Sequence, residues 1–197
     1  MVLLRKSIPQ NPELKTAVEH GVSWANLNTE FYMKIKTLFI FMIFLPLIGC
    51  DRYTKEQAVI SLKGQEPISF FNGFFTLTYH ENTGGMLSLG ANLPDNLRFL
   101  IFTFLVSLVL VGGLIYILLK PMEKLSFAAG LLILSGGFGN LYDRALNEGR
   151  VVDFILLQVG TLRTGVFNVA DVAIMAGLFV FMFISSKWGR QLTNQSN

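Results

Sequence analysis

Thr164-Gly165-Val166-Phe167-Asn168-Val169-Ala170-Asp171-Val172-Ala173-Ile174-Met175-Ala176-Gly177-Leu178-Phe179-Val180-Phe181-Met182-Phe183-Ile184-Ser185-Ser186 runs for twenty-three residues with a single charge, Asp171. A helix needs about 20 consecutive apolar residues to cross a bilayer, so this stretch is read as a membrane span. Working back along the chain finds three more. Leu125 to Tyr142 is eighteen residues between Lys124 and Asp143, and Phe99 to Leu119 is twenty-one between Arg98 and Lys120. Thr37 to Cys50, between Lys36 and Asp51, is only fourteen. There Lys34 and Lys36 can snorkel, and the helix can continue past Asp51. Spans are expected over about 35–52, 98–119, 125–142 and 166–186.

Composition points the same way. Hydrophobic residues make up 52% of the 197 and charged residues only 15%, against about 25% charged in soluble domains. The net charge of +3 gives no reason to expect a nucleic-acid partner. One cysteine excludes an internal disulfide, and two histidines with one cysteine are too few to suggest a zinc site. No metal or cofactor is expected.

Basic residues near span ends set the orientation. Lys34 and Lys36 precede the first span, Lys120 and Lys124 flank the second-to-third turn at Pro121, and Lys187 and Arg190 follow the fourth. With four spans these places share one side, which is then cytoplasmic, as are both termini. Segments 51–97 and 143–165 lie outside. In the first of these, Pro67-Ile68-Ser69-Phe70-Phe71 and Phe74-Phe75-Thr76-Leu77-Thr78-Tyr79 flank Asn72-Gly73. Aromatic and β-branched runs around Asn-Gly predict a hairpin with a tight primed turn, whose strand edge could cradle an extended peptide. The fold class is thus an α-helical polytopic membrane protein: four transmembrane helices with a small extracytoplasmic β-hairpin or sheet. The membrane domain covers 33–188. Residues 1–32 read as a cytoplasmic extension without regular structure, or as sequence upstream of a natural start at Met33, and 189–197 as a mobile cytoplasmic tail.

Polar residues in apolar settings locate the chemistry. An ionised Asp at a helix centre costs about 2.5–3.5 kcal/mol on insertion scales, and less near the interface. Asp171 needs a partner, a proton or water. Asn168 and Asp171 are i,i+3 and share a helix face. Asp153 interrupts Val151-Val152-Asp153-Phe154-Ile155-Leu156-Leu157 on the same outer side. Two readings are open. The acids can be structural partners of nearby arginines, Arg144, Arg150 or Arg163 for Asp171 and Arg150 for Asp153. Alternatively they meet across the fold, where close carboxylates share one proton and titrate as a unit. A third element, Gly136-Gly137-Phe138-Gly139-Asn140-Leu141-Tyr142-Asp143-Arg144, combines glycines for close helix approach with Asn140 and Arg144 at i,i+4. Arg144 either pairs with Asp143 or reaches the Asp153–Asp171 region, holding the loop that carries Asp153. Asp51 and Lys55 form a further i,i+4 pair at the membrane rim, and Asn82 and Gly84 lie in a turn after the hairpin.

Five stretches together resemble the lipoprotein signal peptidase family, the type II signal peptidases: Asp51-Arg52-Tyr53-Thr54-Lys55, Asn82-Thr83-Gly84, Gly139-Asn140-Leu141-Tyr142-Asp143-Arg144, Val151-Val152-Asp153-Phe154 and Phe167-Asn168-Val169-Ala170-Asp171. The resemblance covers roughly 34–187 and excludes 1–32. It implies a metal-free aspartic endopeptidase of the bacterial inner membrane. Its partners would be membrane lipid and prolipoproteins bearing diacylglyceryl-cysteine, cut just before that cysteine. It implies Asp153 and Asp171 as the catalytic dyad, Asn140, Arg144 and Asn168 as supporting residues, and Asp51, Lys55 and Asn82, with Gly84 in the same turn, as residues of the lipid and substrate site. A monomer is expected. Gly85, Met86 and Leu87 depart from the small residues and Phe usual in the family.

Two rival readings are weaker. Leu47-Ile48-Gly49-Cys50 resembles a lipobox, which would make the chain a lipid-anchored protein, but three further apolar spans follow Cys50. A proton relay through Asp153 and Asp171 would need ionisable residues in the inner halves of the spans, and these have none.

Overall fold

A computed structural model describes residues 24–85 and 89–186, with side chains from residue 32 onward. The expected extension lies outside these residues up to position 23, and the expected tail, 189–197, lies wholly outside them. Contacts divide the chain into two units, Met1–Phe39 and Ile40–Asn197. The described part of the first is helix α1, Trp24–Phe39, so residues 24–32 are helical rather than irregular.

The second unit opens with a π-helical turn, Ile40–Phe44, leading into α2, Leu45–Leu62. The hairpin strands β1, Ile68–Phe70, and β2, Phe75–Asn82, follow. Next come a short α3, Asp95–Arg98, a π-helical stretch, Phe99–Leu105, and α4, Val106–Leu119. Helix α5 is Lys124–Leu146, β3 is Val151–Val159, β4 is Leu162–Arg163 and α6 is Val169–Ser185.

Among the described residues, three helical stretches are long and apolar enough to cross a membrane: Tyr32–Leu62, Asp95–Leu119 and Lys124–Leu146. Helix α6 is apolar but shorter, at 17 residues. Outward-facing Phe41, Met42, Leu108, Val109, Phe179 and Met182 are exposed, as lipid-facing side chains are. Helix α5 is the centre of the bundle, packing against α2, α4 and α6. Its glycine run explains how. A Cβ on Gly136 would strike the Ala170 carbonyl and Ile174 of α6, and one on Gly137 would strike Leu110 of α4. A Cβ on Gly139 would lie 2.6 Å from Asp51 Oδ2 of α2. Three successive glycines thus admit three neighbours, the close approach that small residues permit between membrane helices.

The observed spans differ from the expected ones at their ends. Helix α5 continues four residues past Tyr142, so Asn140 and Arg144 stay on one helix. Helix α6 begins at Val169, not 166, because Phe167 bridges Ile155 and Asn168 caps the helix. The segment carrying Asp153 was expected to be a loop and is a strand. Its apolar residues pair with β2 and give an antiparallel sheet ordered β1-β2-β3-β4.

The predicted hairpin is present, with Phe70 opposite Phe75. Asn72 (φ 55°, ψ 37°) and Gly73 (φ 86°) hold the primed-turn conformation, closed by Phe74 N–H donating to Phe71 O at 3.2 Å. Ala58 and Leu62 of α2 pack with Val152 and Phe154 of β3, seating the sheet on the carboxyl end of α2. Glu81 secures this edge by accepting from Tyr79, Lys63 and Arg150.

Gly136→Ala is expected to destabilise the protein by about 1–3 kcal/mol, the usual cost of overpacking. Gly112→Ala, with nothing within 4 Å of its added Cβ, is expected to be near neutral. Thermal unfolding of the two variants in detergent separates them, and equal stabilities would contradict the close approach of α5 and α6.

Candidate active site

The first turn of α6 organises the site. Asn168 is its N-cap: Asn168 Oδ1 accepts from Asp171 N–H at 3.0 Å, while Asn168 N–H donates back to Asp171 Oδ2 at 3.2 Å. This is a reciprocal capping box, in which two backbone N–H groups that a helix start leaves unpaired are both satisfied. Asn168 and Asp171 are therefore cap and third helical residue, not two members of one helix face as their spacing suggested. The acid also sits where the helix dipole favours negative charge.

The cap leaves the Asn168 amide nitrogen free for other work. It donates to Asp153 Oδ1 at 2.6 Å and lies 3.1 Å from Asn140 Oδ1. Asn140 Nδ2 donates to Asp171 Oδ1 at 2.8 Å. Asp153, on β3, receives its second bond from Asn82 Nδ2 at 3.0 Å. Asn82 reaches it because β2 shifts register between Leu77 and His80, leaving Asn82 opposite Val151. Asp153 and Asn168 are buried, whereas Asp171 and Asn140 are half-buried, so the pair is open on the Asp171 side. Burial pushes the Asp153 carboxyl up to about 7; the nearby Asp171 charge adds to the rise, and the Asn82 and Asn168 bonds oppose it. Two of the three arginines considered for the acids are engaged elsewhere. Arg150 pairs with Glu81 and Glu148, and Arg144 donates to the Gly84 carbonyl at 2.6 Å.

Gly84 belongs to the turn after β2, where its N–H donates to Asn82 Oδ1 at 2.9 Å. Arg144 lies over the Phe102 ring, 5.9 Å from its centroid. A Cβ at Gly85 or Gly90 would meet that ring at 2.9 Å. The departure at Gly85 thus has a physical reason, because an aromatic side chain from the helix preceding α4 fills the space. Met86 and Leu87 lie outside the described residues.

Asp51 and Lys55 are buried against α5 and α6 and not on an exposed helix face. Lys55 is 0% exposed and donates to Asp51 Oδ2 at 2.8 Å, Asp143 Oδ2 at 3.2 Å and Asn140 Oδ1 at 2.9 Å. Asp51 Oδ1 accepts from Ala170 N–H at 2.8 Å. Asp143, not counted among the expected site residues, accepts from Val152 N–H at 3.1 Å and forms an ion pair with Arg52 at 3.6 Å. Its neighbour Arg144 in sequence invited a local pairing that the structure does not contain. The signal was there in its spacing: Asp143 follows Asn140 by three residues and shares its helix face.

Comparisons with known proteins identify the family. The family model for signal peptidase (SPase) II matches residues 42–187. The lipoprotein signal peptidase of Borrelia hermsii (strain HS1 / DAH) is 36% identical over 151 residues, covering 74% of this chain and 85% of that protein. That of Francisella tularensis subsp. novicida (strain U112) is 33% identical over 147 residues, covering 74% and 89%. A bacterial membrane enzyme solved by the in meso method at 1.9 Å superposes with a TM-score of 0.64 and 25% identity over 75% of this chain and 92% of that one. The matched residues include every member of the polar network from Asp51 to Asp171, and the chain belongs to the signal peptidase II family of membrane proteases.

Proposed function

We propose that Asp153 and Asp171 are the catalytic pair of an aspartic endopeptidase that removes signal peptides from bacterial prolipoproteins, cutting just before a diacylglyceryl-modified cysteine. Membership of a protease family and relatives named lipoprotein signal peptidase support the reaction. The single observation carrying the residue assignment is that one buried side chain, Asn168, holds two acids from separate elements, a strand and a helix start. Such an arrangement costs burial energy in the resting protein, and among the described residues neither acid forms a hydrogen bond with an arginine or lysine.

The pair carries one proton at work. The ionised carboxylate takes a proton from water as the water oxygen adds to the scissile carbonyl carbon, and the protonated partner gives its proton to the carbonyl oxygen. Collapse of the tetrahedral intermediate breaks the C–N bond, and a proton passes from the pair to the leaving amine. Among the described residues Arg144 Nε is buried with no hydrogen-bond partner, which suits it to donate to a substrate carbonyl. Burial of acyl chains is worth about 0.8 kcal/mol per CH₂ taken from water. Most of that is already gained by a substrate in lipid, so selectivity rests on contacts to the headgroup and the cysteine.

We infer four membrane spans, α6 being the fourth. Its 17 residues rise about 26 Å, close to the ~30 Å hydrocarbon core. Lysines at 34, 36, 120, 124 and 187 then face the cytoplasm with both termini, and the sheet and acid pair sit at the outer face of the inner membrane. Every residue of the network comes from one chain, so a monomer suffices.

Asp153→Asn and Asp171→Asn are each expected to lower cleavage of a diacylglyceryl-modified prolipoprotein peptide in detergent by about 10²–10⁴-fold, the range for a lost acid or base. A chelator is expected to leave the wild type unaffected. Full activity in either variant removes that acid from the mechanism.

The pH dependence follows from Asp153. Its raised carboxyl is protonated below about 7 and ionised above it. If the reaction needs one proton on the pair, kcat falls as pH climbs through that value. A rate profile flat to pH 9 would contradict this.

A further inference from the structure

Lys55 touches neither proposed catalytic carboxylate, yet it stands at the junction of everything that places them. Its ammonium has three hydrogens and three acceptors: Asp51, Asp143 and Asn140. Each acceptor leads to one part of the site. Asp51 holds the Ala170 N–H, one residue before Asp171 on α6. Asp143 holds the Val152 N–H, one residue before Asp153 on β3. Asn140 donates from Nδ2 to Asp171 itself.

The third link carries the inference. An amide side chain has one accepting and one donating end, and its orientation follows from its partners. Lys55 is a donor without any lone pair, so the atom facing it must be oxygen. Asn140 Oδ1 takes that position, 2.9 Å away, with the Asn168 amide hydrogen also directed at it. The opposite end, Nδ2, is therefore forced toward Asp171 Oδ1, where oxygen against oxygen would repel. We propose that Lys55 is a positioning residue for the cleavage reaction, locking the Asn140 amide so that it donates to Asp171 and tying together the helix and strand that carry the two acids. This rests on the catalytic pair proposed above.

A positive charge at this point also bears on the shared proton. The charged groups packed around the pair are Asp51, Arg52 and Lys55 from α2, Asp143 and Arg144 from α5, Asp153 on β3 and Asp171 on α6. From β2, His80 lies opposite Asp153 and exposed. Lys55 opposes the rise of the Asp153 carboxyl, so its loss moves proton release from the pair to higher pH.

The test uses the full-length protein in detergent with the diacylglyceryl-modified peptide, scored against wild-type cleavage. Absence of cleavage by wild type would count against the parent reading rather than this one. Lys55→Met is expected to lower kcat about 100-fold with little change in KM, and to move the pH–rate profile upward by about half a unit or more. A purely architectural lysine would lower the amount of active protein without moving the profile. Because Lys55→Met strands two buried carboxylates, the triple variant Asp51→Asn/Lys55→Met/Asp143→Asn is measured beside it. Its new amides can still accept from Ala170 and Val152, but nothing charged faces Asn140. The same loss of kcat is expected, but without the upward displacement of the profile, because two negative charges leave with the lysine. Wild-type kcat in the triple variant, or wild-type kcat with an unmoved profile in Lys55→Met, would overturn the proposal.

Discussion

The site depends on how one side chain divides its two ends. Asn168 must cap α6, because the first turn of any helix leaves backbone N–H groups unpaired, and a buried helix start has to satisfy them from within the protein. Its oxygen does that. Its amide nitrogen is then left pointing back across the sheet, where it meets Asp153. Aspartate at the cap would accept from the helix equally well but would present a second oxygen to Asp153, and serine would end short of it. The residue that starts the helix is thereby also the residue that fixes the distance between helix and strand.

Charge in this interior is nearly balanced, and the remainder has a use. The buried and half-buried groups at the junction are the cations Arg52, Lys55 and Arg144 and the acids Asp51, Asp143, Asp153 and Asp171. Three positive charges face four negative ones if all are ionised. Removing charges from water is expensive unless they are paired. The cheapest way to close the imbalance is a single retained proton. It falls to Asp153, whose two bonds come from neutral amides and whose burial is nearly complete. The retained proton that an acid–base pair needs thus follows from the count of charges in a space sealed by helices.

Much of this was legible in the sequence, for identifiable reasons. Asp153 and Asp171 stood out because each interrupts an apolar run, and a charge there has to be accounted for. The hairpin stood out because Asn-Gly between aromatic strands has few alternatives. What stayed hidden was partnership across the chain. Asp51 and Lys55 form an i,i+4 pair that on any helix reads as surface decoration, and only the approach permitted by Gly139 turns it inward against α5. Asp143 was masked by its neighbour Arg144, which turns away toward Gly84 and Phe102. Strand β3 was hidden by its own composition. An apolar run buried on both faces has no alternation to reveal it, and it is a strand only because β2 supplies the pairing.

Dividing the two acids between a strand and a helix start also settles where along the molecule the site can lie. A carboxylate at a span's midpoint is costly, and unpaired backbone in hydrocarbon costs several kcal/mol per group. A sheet can exist only beyond the apolar core, and a span can begin only at its edge. A site needing one residue from each is confined to the junction of the two. That junction is also where a peptide leaving a membrane helix becomes extended and where water first becomes available. In the proposed reaction hydrolysis needs water, an unwound peptide bond and a raised carboxyl together, and a site at this boundary would supply all three without any of them having to enter the bilayer.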